Sequence, residues 1–478
     1  MTQRLARTIP AAGTPLTGGS GGAGGSGAGP QLSGNPELMD SFRGWLVALG
    51  AALATGIAFG TIYTFGAFIE SMADEFGTGQ GTASIMLGIA TFLFFGTGIV
   101  SGPLLHHLGP RPLMALGGLL FFGGLAGTSA VSELWQGYLI YGFGCGFGSG
   151  LFVSPVFATA TAWFMKRRAI ALGLVATGPG IGTMVMVPLA ERLIEALGWR
   201  IAYRYLAIAA LVTFVICFLV LRRPPVTMNF DPRHHVRRVT RTKAFRQMAA
   251  GASLFSVPLI GSLAAVIPFA RSVDIDSASA ARLIAIIGAS SIIGRIVLTS
   301  FARQLGSIRL FKLCYATMPV AYAIWLIAGD SYRLMVVFAV VLGVSYGGYV
   351  ALMGDVTPHL FGVAGIGSVM GRLFFFFGVG SLIGPPVMLF LLEVSGGTAL
   401  PIALVTAVSA IGALVIRPMT RDPVPLPAPS DPSPPVRLRS EARLAFDDPS
   451  AMPSLAPPAQ LAPPSVWTPV PAEVGTRS

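Results

Sequence analysis

Residues Ser277–Gly306 read SASAARLIAIIGASSIIGRIVLTSFARQLG, a helix-forming stretch long enough to cross a bilayer, with one guanidinium, Arg295, deep inside it between Arg282 near its start and Arg303 near its end. The nine residues Ala285–Ile293 are all Ala, Ile, Gly or Ser. A fixed cation is expensive in hydrocarbon, and it is tolerated where it faces a bundle interior or a water-filled cavity. A cation that lines a cavity suits an anion. Arg295 can grip a carboxylate through two parallel N–H···O bonds, which Lys cannot do. The competing interpretation is an Arg that snorkels to the membrane surface.

The rest of the chain supports a membrane setting. Of 478 residues, 53% are hydrophobic and 11% charged, against about 25% charged in soluble domains. The formal charge of +12 does not require nucleic acid, because the basic residues gather in short loops on one side, as expected for the cytoplasmic face of a membrane protein. The small share of Lys among the basic residues suggests a GC-rich bacterial genome. Cys145, Cys217 and Cys314 all fall in apolar segments, so neither a disulfide framework nor a metal site is expected. No cofactor or catalytic residue is expected. The polar, Gly-rich start reads as an uncleaved N-terminus.

Twelve apolar segments are long enough to cross a bilayer, which takes about 20 residues each. They lie at 44–69, 82–105, 112–131, 136–164, 168–192, 202–221, 246–270, 278–301, 309–328, 333–354, 363–392 and 398–417. The fold class is therefore all-α membrane protein, in two pseudo-symmetric six-helix halves. The expected organisation is a disordered Gly-rich tail at 1–42, a first half at 43–222, a basic linker at 223–245, a second half at 246–417 and a disordered Pro-rich tail at 418–478. Arg222–Arg246 carries eight basic residues, which suit a solvated linker near anionic lipid headgroups. Lys166, Arg167 and Arg168 follow the fourth span, while Glu70, Asp74 and Glu75 follow the first. This bias places both termini in the cytoplasm. Arg192, Arg200 and Arg204 dissent, with Glu191 and Glu195 near enough in sequence to pair with them.

Four stretches resemble the major facilitator superfamily, and within it the monocarboxylate-transporter group and the bacterial oxalate–formate exchangers. They are Arg43–Phe68 (RGWLVALGAALATGIAFGTIYTFGAF), Trp163–Gly182 (WFMKRRAIALGLVATGPGIG), Ile267–Arg295 (IPFARSVDIDSASAARLIAIIGASSIIGR) and Leu360–Pro386 (LFGVAGIGSVMGRLFFFFGVGSLIGPP). The resemblance implies alternating access between two halves, with the substrate site near the midplane. It also implies proton symport and a bacterial inner membrane. The departures are informative. His106 and His107 stand where the family has Asp and a base, and Ala302 stands at the second-half Asp position. Tyr63 replaces a Lys, Ser291 an Asp, Ala265 a His and Phe377 a second cation. Arg295 is the one member of the family's carboxylate-binding set that matches.

Besides Arg295, the candidate substrate residues are Tyr63, Tyr346, Phe377 and Arg372. Arg372 at the depth of Arg295 would favour a dicarboxylate, but it also suits a headgroup anchor or a partner for Asp355. Asp355 is the proton-coupling candidate. Tyr346 and Tyr349 are one turn apart and share a face. Gly142, Gly146 and Gly150, with Gly144 and Gly148 on a flanking row, suit close helix approach better than nucleotide binding. Gly178–Gly182, around Pro179, is expected to bend its helix. The expected partners are a small carboxylate, protons and membrane lipids, with no nucleic acid. The alternatives are a dicarboxylate or anion exchanger, an efflux transporter, and a non-transporting sensor.

Overall fold

The computed structural model describes residues 32–34, 39–164, 167–223, 226–228, 233–362 and 366–419. Twelve long helices organise them. The first half holds α1 (Phe42–Tyr63, resuming after Thr64 as Phe65–Glu75), α2 (Gln80–Gly96, resuming after Thr97 as Gly98–Leu108), α3 (Pro110–Thr128) and α4. Helix α4 runs as Leu134–Tyr141, a π-helical turn Gly142–Phe147, and Gly148–Ala162. The half closes with α5 (Arg168–Leu197) and α6 (Trp199–Val220). The second half holds α7 (Lys243–Ser272), α8 (Ser277–Leu305), α9 (Ser307–Ala328), α10 (Tyr332–Phe361), α11 (Ile366–Val394) and α12 (Ala399–Ile416).

Eleven of the described helices are long and apolar enough to cross a membrane. The third expected span, α3, forms over 19 residues, but Pro110, Arg111 and Pro112 at its start, with several glycines after them, dilute its hydropathy. It still packs between α4 and α6 and leaves Leu116 and Leu119 exposed on the bundle's outside. Other exposed side chains, such as Leu219, Ile327 and Leu414, form the same apolar outer surface. Apolar groups are stable there only against lipid, where each helix must also satisfy its own backbone. This requirement keeps α5, α7 and α11 helical through Pro179, Pro188, Pro258, Pro268, Pro385 and Pro386.

The helix pairs of the first half recur six helices later. Pairs α1–α5, α2–α4, α3–α6 and α1–α6 are matched by α7–α11, α8–α10, α9–α12 and α7–α12. The halves meet through α2–α11, α5–α8 and α1–α7. Bare backbone makes the tightest approaches. A Cβ on Gly182 of α5 would lie 1.9 Å from the Gly56 carbonyl oxygen of α1, and one on Gly347 of α10 would lie 1.9 Å from that of Ser291 in α8. On α4, Gly142, Gly146 and Gly150 approach α2, while Gly144 and Gly148 approach α3. The two rows read from sequence thus serve two neighbours. The GPGIG stretch likewise serves close approach, with Gly178 and Gly182 against α1 and Gly180 against Gly288 of α8.

Some expectations change. Residues 32–34 fell in the tail expected to be disordered, yet Leu32–Gly34 pairs antiparallel with Val226–Met228, with Ser33 opposite Thr227. Paired backbone groups, including those of β-branched Val226 and Thr227, hold these residues in register. Residues 1–31 and 420–478 lie outside the described residues, as does Lys166. The linker contains a short helix, Arg233–Thr240, whose Val236 and Val239 are buried. Helix α5 runs past its expected end to Leu197, stopping at Gly198 with φ +80. At the start of α8, Asp276 accepts a bond from the Ser279 N–H at 2.9 Å. Hydrogen bonds from Ser279 hold its carboxyl below the usual carboxylate range.

Candidate functional site

Helix α8 carries Arg295 into the contact between the halves. The residue is 3% exposed, so its head turns into the bundle and does not snorkel. Its Nη1 donates to the Ala176 carbonyl of α5, a helix of the other half. Among the described residues, Nε and Nη2 have no hydrogen-bond partner, and no carboxylate forms an ion pair with the group. Its Cζ stands 5.7 Å from the centre of the Tyr346 ring, within the range of a cation–π contact.

Tyr346 on α10 also reaches across the halves. Its hydroxyl lies 3.2 Å from the hydroxyl of Tyr63 on α1. Tyr63 is the last residue before the joint in α1, where the Thr64 N–H bonds to the carbonyls of both Gly60 and Thr61. The structure therefore brings Arg295, Tyr346 and Tyr63 into one cluster built from both halves.

Phe377 joins the cluster's surroundings through other rings. It is buried on α11, 4.6 Å from Phe95 and 6.1 Å from Tyr349 between ring centres. Phe95 stacks on Phe94 at 4.7 Å, Phe94 meets Phe59 at 4.8 Å, and Phe59 meets Tyr63 at 5.8 Å. Tyr349, one turn from Tyr346, stacks on Phe255 of α7 at 3.9 Å. The shared face of these two tyrosines thus divides between a polar cluster and an aromatic wall.

Two candidates are placed elsewhere. Arg372 is half-buried and donates to the Ser368 carbonyl of its own helix at 3.0 Å. No interaction described for it reaches the Arg295 cluster. Asp355 is exposed at the end of α10 and accepts from the Ser307 hydroxyl at the start of α9. Ser291 bonds back to the Gly288 carbonyl at 2.7 Å, and Ala265 is fully buried.

Sequence reading missed the ring ladder of Phe59, Phe94 and Phe95. It also missed a three-way ion pair at the end of the bundle opposite the linker, here the far end. Arg271 of α7 binds Glu70 of α1 and Glu191 of α5. Proximity in sequence suggested Arg192, Arg200 and Arg204 as partners for Glu191. Arg200 instead pairs with Glu75 at 2.6 Å. The available signal was spacing: Thr183, Val187 and Glu191 recur every four residues and all are buried, so Glu191 belongs to the packed face of α5.

The hydroxyl pair yields a first expected outcome. Tyr346→Phe removes one partner of a buried bond, a change worth about 1 kcal/mol. It also removes a polar group beside Arg295. We expect a rise in the KM for substrate of several-fold with little loss of thermal stability, read by transport kinetics and thermal melts together. An unchanged KM would place the hydroxyl outside the site.

A model of the Major Facilitator Superfamily matches residues 51–365 and 310–470. The chain is 27% identical to monocarboxylate transporter 4 of Mus musculus over 338 residues, covering 68% of this chain and 72% of that protein. It is 26% identical to the aspyridones efflux protein of Emericella nidulans over 321 residues, covering 65% of this chain and 63% of that protein. In fold it resembles the nucleoside transporter NupG, with a TM-score of 0.66 at 11% identity, covering 79% of this chain and 99% of that one. With the family model spanning most of the chain, and twelve helices paired as two related halves, this protein belongs to the Major Facilitator Superfamily, and is a multi-pass membrane transporter rather than an enzyme.

Proposed function

We propose that the protein carries a small organic monocarboxylate across a bacterial inner membrane by alternating access, in symport with protons. One observation supports the substrate class above all. Arg295 is a buried cation with two nitrogens that have no hydrogen-bond partner among the described residues, and with no described carboxylate beside it. A buried charge without a counter-ion costs several kcal/mol, and a bound carboxylate would offset that cost through the free edge of the guanidinium. Tyr63 and Tyr346 would orient the acid, and its apolar remainder would lie toward the rings that end at Phe377. The name of the mouse relative agrees with this substrate class.

The linker end is the cytoplasmic face in this reading. It carries more basic residues, among them Arg222, Arg223, Arg237, Arg238, Arg241, Lys243, Arg246, Arg309, Lys312 and Arg417, than the far end, where Arg192, Arg200, Arg204, Arg271, Arg282 and Arg333 stand among Glu70, Glu75, Glu133, Asp274, Asp330 and Glu393. That asymmetry is what the positive-inside rule requires. Dicarboxylate exchange would use Arg372 as a second clamp, and its bond to its own helix favours a monocarboxylate. Efflux remains the second reading, motivated by the fungal relative's name.

The test is uptake of labelled lactate, pyruvate and oxalate into proteoliposomes, with and without an inward proton gradient. Gradient-stimulated monocarboxylate uptake is expected. Uptake only against preloaded acid would replace symport with exchange. No flux of any acid would remove the carboxylate reading and leave efflux.

A further inference from the structure

Arg271 uses all three of its nitrogen positions at the far end. Nη1 donates to Glu70, Nη2 to Glu191, and Nε to the Ser277 hydroxyl of α8 at 3.1 Å. The two carboxylates come from the first half, while the guanidinium and the hydroxyl come from the second. The contact therefore exists only while the halves are closed together at this end.

The charges do not balance. Two carboxylates share one guanidinium, leaving one excess negative charge. The Glu70 side chain is 40% exposed and stays solvated, but that of Glu191 is 2% exposed. The Oε2 atom of Glu191 is buried with no hydrogen-bond partner among the described residues. Few other charges act on it. Its own helix adds Glu195, which is one more negative charge, and Arg192 on the exposed side. Helix α8 brings the Ser277 hydroxyl, which favours the anion, and of the cations on α6, Arg200 pairs with Glu75 and Arg204 donates to the Ser129 hydroxyl. The turn between α7 and α8 adds Asp274 and Asp276, again negative, with Arg282 acting on Asp276. A buried group in excess negative charge neutralises by taking up a proton, whereas the guanidinium keeps its own.

We propose that Glu191 is a proton-binding site, and that the far end of the transporter closes by taking up one proton there. With the far end open, both carboxylates are hydrated anions. On closure, a proton from the solution bonds to Glu191 Oε2, Oε1 keeps its bond to Arg271, and Glu70 remains the anion. The cluster is then neutral. On opening, the O–H bond breaks and the proton returns to water. This carboxylate is distinct from Asp355, which stands at the opposite end of the bundle. The inference rests on the transport reading but not on which acid is carried, so it is tested by conformation without substrate.

The experiment places spin labels at Ser132→Cys and Asp330→Cys, exposed positions at the far ends of the two halves. Cys145, Cys217 and Cys314 are replaced by alanine. Electron–electron distances are measured in lipid nanodiscs at about pH 8 and about pH 5. In the otherwise unchanged protein, acid is expected to raise the short-distance, closed population about fivefold or more. Glu191→Gln is expected to be closed at both values. Glu70→Gln removes the same excess charge from a more exposed position and is expected to do likewise, which covers the case where the buried substitution fails to fold. Glu195→Gln should keep the response. Acid that opens the far end, no response in the unchanged protein, or a wild-type response in Glu191→Gln would each overturn the proposal.

Discussion

Arg295→Ala is expected to abolish carboxylate uptake, lowering it about a hundredfold or more, without lowering the thermal stability of the substrate-free protein. Truncating one partner of a buried, hydrogen-bonded charge pair costs about 2–5 kcal/mol in binding, and about 1.4 kcal/mol is a factor of ten. Stability should respond differently. The substitution removes a bond from the charged guanidinium to the Ala176 carbonyl, worth about 1.5–3 kcal/mol. It also removes a desolvated cation that no described carboxylate offsets, and that relief is of similar or larger size. Arg295→Lys keeps the charge but loses the planar fork, so it should retain only a small part of the uptake. Uptake by the Ala variant at the wild-type rate would remove Arg295 from the site. A fall in melting temperature of many degrees, with residual uptake unaffected per folded molecule, would make the residue a strut between α5 and α8.

The largest expected effect on folding comes from Gly182→Val. A Cβ at Gly182 would fall 1.9 Å from the Gly56 carbonyl oxygen and 2.5 Å from its carbon. Both are backbone atoms in the middle of α1, so no side chain can move aside. Helices α1 and α5 would have to separate by more than an ångström along their closest approach. Overpacking typically costs about 1–3 kcal/mol, and more when backbone must move. In a bilayer, helix association depends on such contact because lipid is as apolar as the side chains it would replace. The expected result is loss of monodisperse protein, or a large drop in melting temperature, together with loss of transport, since α1 also carries Tyr63. Gly123→Ala is the control, because nothing lies within 4 Å of a Cβ there. Equal melting temperatures for the two variants would show that the close approach is not needed.

The membrane fold was legible in the composition and spacing of the residues. Lipid solvation sums over some 20 residues at a time, and a backbone in hydrocarbon must bond to itself. Those two facts convert apolar runs into helices without reference to neighbours, Pro179 and Pro385 included. They also make one cation in an apolar run conspicuous, so Arg295 stood out. Glycine rows such as Gly142, Gly146 and Gly150 announced close approach for the same reason, since they offer nothing else to a neighbour.

Pairings between distant helices were not legible, because they depend on how each helix is rotated and how far it slides along its partner. Glu191 is separated from Arg271 by 80 residues and lies beside nearer arginines in sequence, yet the packed face of α5 turns it to α7. Tyr63 and Tyr346, 283 residues apart, sit on separate helices, and only the packing of the two halves brings their hydroxyls together. Arg372, a candidate on the same footing, bonds to its own helix instead. A side chain's type and depth follow from local sequence, whereas its partner is set by the few degrees of helix rotation that glycine contacts such as Gly182–Gly56 and Gly347–Ser291 fix across the whole bundle.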